Sequence, residues 1–303
     1  MIEFGRVKLK EKQLYESILF TQAERGCEYS FANKYLWGRQ EAALNHGCAV
    51  FFSHFNGKSV YPYPIGDGDK KAAIEDLIRD AKKRGIPFRL TGMTEADKQE
   101  LERWFGERFL IKQQRDSFDY VYSIDDLADL KGRKFQKKRN HVNRFRSEHP
   151  DYQVVELTSC NMGAAQQMVN EWFRIRMKED PEGDYLLENI AMARAFQNYD
   201  GLGLEGIMLM ERGKVLAVTM GTRMSPDTYD IHFEKALEDV DGAYPTVNCE
   251  FARYLRAKHP EAAFLNREDD LGLPGLRKAK LSYNPHHMVE KYKAYLLEDL
   301  NRD

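Results

Sequence analysis

The stretch LEGIMLMERGKVLAVTMGTRMSPDTYDIHFEKA, residues 204–236, decides the fold. Its three strand-like runs are separated by tight turns at Arg212-Gly213 and Ser225-Pro226-Asp227. Turns this short join antiparallel neighbours, so the pattern predicts a three-stranded antiparallel unit. Downstream, the sequence predicts a helix over 243–259 and a further strand, parallel to its neighbour, over 262–266. The fold class is therefore α/β (α+β), with a mixed sheet flanked by helices.

The first half of the chain shows the same order of elements. Two β-rich runs, 48–55 and 59–65, flank Asn56-Gly57, a dipeptide typical of two-residue hairpin turns. A helix is predicted over 67–85, and a shorter one over about 30–45. Element order repeats while residue identity does not, which favours two domains of one architecture.

The length of 303 residues is also more than one ordinary compact domain needs. We expect an N-terminal domain over residues 1–125, a basic helical linker over 126–150 and a C-terminal domain over 151–303. A turn rich in acids and bases occurs only in the second half. We therefore expect the second domain to be the active one and the first to be degenerate.

Composition and net charge limit the classes of function that this chain can have. Hydrophobic residues make up 42% and charged residues 31%, with a net charge of -2, so nothing global indicates nucleic acid or membrane. The N-terminus has no apolar signal-peptide core, and no run of about 18 apolar residues occurs. The four cysteines are far apart, as in a reduced, cytoplasmic protein. We expect a cytoplasmic location.

The segment KGRKFQKKRNHVNRFR, residues 131–146, concentrates positive charge. On a helix, Phe135, Val142 and Phe145 form one narrow apolar seam and leave a positive surface. Such a surface suits polyphosphate, an RNA backbone or an anionic lipid headgroup, although a solvated helix between domains gives the same pattern. The candidate phosphate- and RNA-binding residues are Lys134, Lys137, Lys138, Arg139 and Arg144.

The densest polar stretch is NREDDLGLPGLRKAKLSYNP, residues 266–285. It begins where a parallel strand is predicted to end, which is where ligands bind in open α/β sheets. Acids followed by bases there could hold an amine and a phosphate, or could form a salt-bridged turn. The candidate substrate-binding residues are Asn266, Asp269, Asp270, Arg277 and Lys278. No histidine lies at a chelating spacing, so we predict no metal site.

The predicted strand 228–236 alternates in polarity. Asp230, His232 and Glu234 share one face, opposite an apolar face. If the strand is central, a buried row of titratable groups indicates a function, with His232 or Glu234 as general base. If the strand is near an edge, these side chains are exposed to solvent and the row needs no functional explanation.

Two runs carry a family resemblance: NREDDLGLPGLRKAKLSYNPHHMVEKY and, upstream, DSFDYVYSIDDLADLKGRKFQKKRNHVNRF. They resemble bacterial proteins grouped with the phosphatidylglycerol lysyltransferase C-terminal domain, formerly a domain of unknown function. The resemblance covers about residues 25–295. It implies two tandem N-acetyltransferase-like domains, similar to Fem-type transferases that move amino acids from aminoacyl-tRNA. By position, Lys280 resembles a family lysine, and Glu250 an acidic residue on the preceding helix.

The resemblance implies an acyltransferase or aminoacyltransferase, with Glu234, His232, Glu250 and Lys280 as the catalytic candidates. The acyl donor would be aminoacyl-tRNA rather than acyl-CoA, because the region EKALEDVDGAYPTVNCEF lacks the glycine-rich pyrophosphate loop. Without a membrane-spanning segment, an anionic lipid could be met only peripherally. Three alternatives stay open: a non-catalytic ligand-binding protein, an RNA-binding protein using 131–146, and an ordinary acyl-CoA N-acyltransferase. The oligomeric state is not indicated.

Overall fold

The computed structural model describes residues 1–20, 26–38, 40–55, 58–181 and 185–302. The strands are β1 (Gly5–Arg6), β2 (Gln40–Asn45), β3 (Cys48–Phe55), β4 (Lys58–Pro62), β5 (Arg89–Met93), β6 (Phe109–Gln113), β7 (Asp119–Ser123), β8 (Gln153–Glu156), β9 (Glu205–Glu211), β10 (Lys214–Ser225), β11 (Thr228–Ala236), β12 (Phe264–Asn266), β13 (His287–Val289) and β14 (Tyr292–Leu296). The α-helices are α1 (Lys12–Leu19), α2 (Phe31–Trp37), α3 (Lys70–Arg84), α4 (Glu95–Phe105), α5 (Ile124–Asp129), α6 (Gln136–Glu148), α7 (Met162–Glu179), α8 (Leu186–Gln197), α9 (Tyr199–Leu202), α10 (Ala243–Lys258) and α11 (Pro274–Leu281).

These elements form two compact units, and neither is one continuous segment. The first comprises Met1–Asp119, Asp269–Arg277 and Met288–Asp303, and the second comprises Tyr120–Glu268 and Lys278–His287. The contiguous halves predicted with boundaries at residues 125 and 151 differ from this division. Residues 126–150, predicted as a linker, lie within the second unit.

The sheet of the first unit has the order β1-β2-β3-β4-β5-β14-β6. Strands β4 and β5 pair in parallel, and the other neighbours are antiparallel. The prediction of a helix over 30–45 was wrong in its second part, because α2 ends at Gly38 in the left-handed conformation and Gln40–Asn45 pairs with β3. Strands β3 and β4 pair as predicted, while Asn56-Gly57 lies outside the described residues.

Helix α3 shows how local signals build this unit. The Asp69 carboxylate accepts from the amide of Ala72 and caps the first turn, and Gly85 ends the helix with a φ of 70°. The predicted apolar positions Ala73, Leu77 and Ala81 are all buried in the core below the sheet strands. The helix prediction over 67–85 is thereby confirmed.

The sheet of the second unit has the order β13-β7-β12-β11-β10-β9-β8. Strands β8 to β11 are antiparallel neighbours, as the opening sequence stretch predicted, and β11 pairs in parallel with β12. Strand β11 is therefore interior and not at an edge of the sheet. The two sheets share one sequence of strand directions, from β1 to β14 and from β8 to β7, so the two units have one architecture.

The basic segment is folded onto the second unit. Phe135, Val142 and Phe145 are all buried, and Phe135 and Val142 pack in one cluster with Cys249 of α10. At the start of α10, a Cβ added to Gly242 would lie 2.6 Å from the carbonyl oxygen of His141. This close approach and the φ of 80° both require glycine there. The apolar seam predicted for the segment is confirmed.

A buried charge cluster lies in the first unit. Lys291 is 2% exposed and pairs with Asp119 (2.7 Å) and Glu28 (2.8 Å). Its ammonium also donates to the sulfur of Cys27 (3.4 Å). Burial disfavours this charge, yet attraction to Asp119, Cys27 and Glu28 raises the pKa of Lys291 well above its usual value.

Lys34 of α2 is the second buried lysine of this unit. It is 2% exposed, and its Nζ has no hydrogen-bond partner among the residues that the structure describes. The ammonium lies 4.4 Å from the centroid of the Phe51 ring. Burial lowers the pKa of Lys34 to about 8, against the attraction of Glu28 and Cys27.

We predict that Lys34→Met stabilises the protein at pH 7 by on the order of 1–3 kcal/mol, because it removes a buried charge. Between pH 8 and 10.5 Lys34 is neutral when folded but charged when unfolded. The unfolded state then binds more protons, so wild-type stability rises with pH in this window, and the variant lacks this gain. Urea midpoints at pH 7 and pH 9.5 measure both effects. Exposed Lys71→Met is the control, and a less stable Lys34→Met protein at pH 7 would contradict the prediction.

Candidate active site

The site in the second unit forms where the short strand β12 ends. Thr228, Tyr229 and Asp230 of β11 pair with the three residues of β12, and β11 then continues for six residues without this partner. Beyond Asn266, the amide of Arg267 donates to the carbonyl of Tyr120 (3.0 Å). Arg267 and Glu268 thus follow the carboxyl end of a parallel strand, the common place for ligands in α/β sheets.

A β-bulge changes the direction in which the polar side chains of β11 point. Met220 of β10 is opposite Phe233, whereas the next residue, Gly221, is opposite Ile231. His232 is therefore the extra residue of β11 at this point. A Cβ on Gly221 would lie 2.3 Å from the carbonyl oxygen of Asp230, so only glycine fits against the bulge.

His232 is surrounded by polar groups although its side chain is fully buried. Its Nε2 lies 2.9 Å from Thr222 Oγ1. Its Nδ1 lies 3.4 Å from Glu268 Oε1 and 3.6 Å from Asp230 Oδ2. Asp230 is also fully buried, and Glu268 is about one fifth exposed. The predicted base His232 is therefore held between a hydroxyl and two carboxylates.

Glu234 belongs to a second cluster. Because of the bulge, Glu234 is opposite Thr219 and Asp230 is opposite Thr222, and these two β10 residues point to opposite faces of the sheet. Asp230 and Glu234 therefore do not share one face as predicted. Its carboxylate accepts from Arg267 Nη2 (2.8 Å) and from Asn248 Nδ2 of α10 (3.1 Å). The Arg267 guanidinium lies 4.8 Å from the centroid of the Tyr283 ring. Burial opposes the charge of Arg267, but attraction to Glu234 prevails and raises its pKa. Arg267 Nη1 is buried and has no hydrogen-bond partner in the described part of the chain.

Lys138 of α6 joins this cluster from the basic segment. Its Nζ lies 3.8 Å from the centroid of the Tyr283 ring. Burial lowers the pKa of Lys138 to about 8, with repulsion by Arg267 in the same direction and attraction to Glu234 against it. An amine with this pKa is partly neutral near pH 7 to 8, so it can accept a proton.

The family model described as phosphatidylglycerol lysyltransferase, C-terminal, matches residues 20–295. The chain belongs to this family. A curated relative, an uncharacterized protein of Mycoplasmoides gallisepticum, is 26% identical over 182 residues, covering 58% of this chain. The aligned part is 55% of that protein, so the chain spans about half the length of this relative.

Solved structures agree with this membership. A conserved protein of unknown function from Bacteroides thetaiotaomicron is 36% identical, with 98% of this chain and 100% of that chain covered and a TM-score of 0.92. L-PGS from Bacillus licheniformis is 13% identical, with 96% and 92% covered and a TM-score of 0.66. FemX is 12% identical, with 98% of both chains covered and a TM-score of 0.61. The fold is the tandem N-acetyltransferase-like one, as predicted.

Lys280, the residue that resembles a family lysine, stabilises the turn that follows β12. Its Nζ donates to the carbonyl oxygens of Arg267 (2.5 Å) and Glu268 (3.2 Å). Glu268 has a φ of 54°, which is unusual for a residue with a side chain. Asn266 Oδ1 accepts from the amide of Glu268 (2.6 Å). These bonds fix the turn that carries Arg267 and Glu268, whereas Lys278 is exposed.

The other predicted substrate-binding residues lie in the first unit. Arg277 pairs with the fully buried Asp270 (2.8 Å) and with Asp116 (2.6 Å). Hydrogen bonds to both carboxylates raise the pKa of Arg277 above its usual value. Asp269 accepts from the amide of Leu271 (3.2 Å). This is the salt-bridged turn that the sequence allowed as an alternative.

Glu250 belongs to an ion-pair network on α10. It accepts from Arg146 (2.7 Å), Tyr152 (3.0 Å) and Arg253 (3.1 Å). All three donors contact the same carboxylate oxygen, so Glu250, predicted as a catalytic candidate, is bound within the protein. This network joins α6 to α10 within the second unit.

Most of the predicted phosphate-binding side chains have partners within the protein. Lys134 pairs with Asp126 (2.8 Å), and Arg144 pairs with Asp241. Arg139 donates to the carbonyl oxygens of Leu130 and Gly132. Lys137 is exposed. The positive surface available to an anion is therefore smaller than the sequence suggests.

Residue-type reasoning missed Thr222, Asn248, Arg267 and Tyr283, which contact the candidate residues His232, Glu234 and Lys138. Arg267 directly follows the last residue of β12, so its place at a strand end was a usable signal.

In the part of the chain that the structure describes, no helix combines the length and the apolarity needed to cross a bilayer.

We predict that Gly221→Ala destabilises the protein by about 1–3 kcal/mol, because the added methyl group overlaps the Asp230 carbonyl. The matched control is Gly163→Ala in α7, where a Cβ would have no atom within 4 Å. That change should stabilise the helix by up to about 1 kcal/mol. Thermal unfolding of both variants checks this. Equal midpoints for the two proteins would show that the bulge tolerates a side chain.

Proposed function

We propose that the protein is an acyltransferase, and specifically an aminoacyltransferase, whose chemistry takes place beside β12 in the second unit. The observation that carries this is that Lys138, an amine with a lowered pKa, and the guanidinium of Arg267 at a strand end both lie against the Tyr283 ring, 3.8 Å and 4.8 Å from its centroid. Membership in the phosphatidylglycerol lysyltransferase C-terminal family supports this reaction class.

The geometry supports the following roles in this proposal. Neutral Lys138 accepts the proton of the attacking amine or hydroxyl. Arg267 is held by Glu234 through Nη2, so Nη1 can donate to the oxyanion that forms on the acyl carbonyl. A new C–N or C–O bond forms, the ester bond to the donor breaks, and the oxygen that leaves takes up the proton that Lys138 had accepted, which regenerates the neutral amine and a donor hydroxyl. Tyr283 shields the two cations from water and raises their effect on developing charge.

We propose aminoacyl-tRNA as the acyl donor. The Fem-type resemblance supports it, and the sequence lacks a glycine-rich loop for the CoA pyrophosphate. Exposed Lys137, next to the site lysine Lys138, is available for a phosphate of the tRNA backbone. The acids before α10 repel phosphate less than their sequence suggests, because Glu238 pairs with Arg176 and Asp241 with Arg144. The test must therefore distinguish an aminoacyl-tRNA donor from an acyl-CoA donor.

A non-catalytic RNA-binding role for the basic segment gains less support. Lys134, Arg139 and Arg144 are bonded within the protein, and few phosphate contacts mean a shallow salt dependence. For the acceptor we propose an amine or hydroxyl on an anionic lipid or a peptide. The family description supports a lipid such as phosphatidylglycerol.

The test is a transfer assay with purified protein. Bacterial tRNA charged with radiolabelled amino acids is incubated with phosphatidylglycerol vesicles or peptidoglycan peptides, and label in the acceptor is measured. Acetyl-CoA is tested in parallel. We expect transfer from tRNA, with kcat/KM rising as pH passes about 8. Lys138→Met should lower kcat/KM by about 100-fold or more and remove this pH dependence.

Variants separate the roles. Glu234→Gln should also lower kcat by about 100-fold, because it releases the guanidinium that stabilises the oxyanion. Exposed Lys214→Met removes one charge away from the site and should leave activity unchanged. Thermal stabilisation by tRNA without turnover would support a binding protein instead. Turnover with acetyl-CoA alone would make the protein an ordinary N-acyltransferase.

A further inference from the structure

The described chain contains two groups of three side chains whose ligand-type atoms lie within 4.8 Å of one another. In the first unit the group is Cys27, Glu28 and Asp119, and the ammonium of Lys291 contacts all three. The protein itself supplies the cation there. In the second unit the group is Asp230, His232 and Glu268. There the group facing both carboxylates is an imidazole, which can bind either a proton or a metal ion.

The distances in the second group suit a shared ion better than direct hydrogen bonds. His232 Nδ1 lies 3.4 Å from Glu268 Oε1 and 3.6 Å from Asp230 Oδ2. N–H···O hydrogen bonds are shorter, typically about 2.9–3.0 Å. Ligands about 2.0–2.2 Å from a tetrahedral metal are separated from one another by about 3.3–3.6 Å. The two observed distances fall in that range.

Thr222 orients the imidazole for such a role. When His232 Nε2 carries the proton, it donates to Thr222 Oγ1 at 2.9 Å. The lone pair of Nδ1 then points towards Asp230 and Glu268. Histidine ligands in metal sites are oriented by a hydrogen bond of this kind on the other ring nitrogen. The site is buried, while the partial exposure of Glu268 gives an ion a path of entry.

We infer that Asp230, His232 and Glu268 bind a divalent transition-metal ion, with one nitrogen and two carboxylate ligands. Two carboxylates and a neutral imidazole carry a net charge of -2, which one such ion balances. This ligand set suits Zn²⁺ and also admits Mn²⁺, Fe²⁺ and Co²⁺. The inference does not depend on the proposed transferase activity, because metal binding is measured without any substrate.

The experiment uses the full chain, stripped of metal with EDTA and dialysed. Zn²⁺ is titrated by calorimetry, and Co²⁺ by its visible absorption, which reports ligand type and geometry. We expect one ion per chain. Asp230→Asn, His232→Ala and Glu268→Gln should each weaken binding by at least about 100-fold, and Thr222→Val by about 10–100-fold.

Two controls locate the ion. Cys27→Ser tests the other group, and His149→Ala removes a histidine that pairs with Glu211 at 2.9 Å. Both should bind as the wild type does. Failure of the wild-type chain to take up either metal would overturn the inference, as would loss of binding in Cys27→Ser alone. NMR at neutral pH gives a further contrary outcome. If His232 is an imidazolium in both metal-free and metal-treated protein, then a proton and not a metal ion is bound between the two carboxylates.

Discussion

The pairing of β12 with its two neighbours is the interaction on which the site depends. Only three residues, Phe264–Asn266, hydrogen-bond to β11 on one side and to β7 on the other. Because side chains alternate along a strand, a slip of one residue would exchange the faces of Arg267 and Glu268. The bond from Arg267 to Tyr120 and the Lys280 bonds to the following carbonyls extend this register past the end of the strand. The chemistry therefore rests on a short stretch of backbone that is fixed from both sides.

Local patterns were sufficient to predict most elements. The turns at Arg212-Gly213 and Ser225-Pro226-Asp227 determine the antiparallel strands of the second unit, and capping residues determine α3. The segment Gln40–Asn45 was wrongly predicted as helix because its residues suit a helix, while pairing with β3 overrides that preference. Sheet membership is not local at all. No pattern within 119–123 or 292–296 shows that β7 joins the second sheet and β14 the first.

For the site, residue type and position identified candidates but not their partners. The alternation of β11 marked His232 and Glu234 as candidates, and the structure places the strand in the interior of its sheet. The contacts that define each role come from distant segments: Thr222 for His232, Arg267 for Glu234 and Tyr283 for Lys138. Charge counting along 131–146 could not show that Lys134 and Arg144 pair with acids elsewhere. The sequence shows which residues are charged, but only the tertiary structure shows which of those charges are paired.

The place of β14 in the first sheet has a consequence for how the protein is made. Residues Tyr292–Leu296 lie between β5 and β6, strands that are synthesised almost two hundred residues earlier. During translation the edges of β5 and β6 that face β14 stay unpaired until residues 292–296 leave the ribosome. Completion of the first sheet therefore waits for a segment that is synthesised long after most of that unit. A chain that lacks residues 292–296 would leave two open sheet edges, which are sites where other chains can pair.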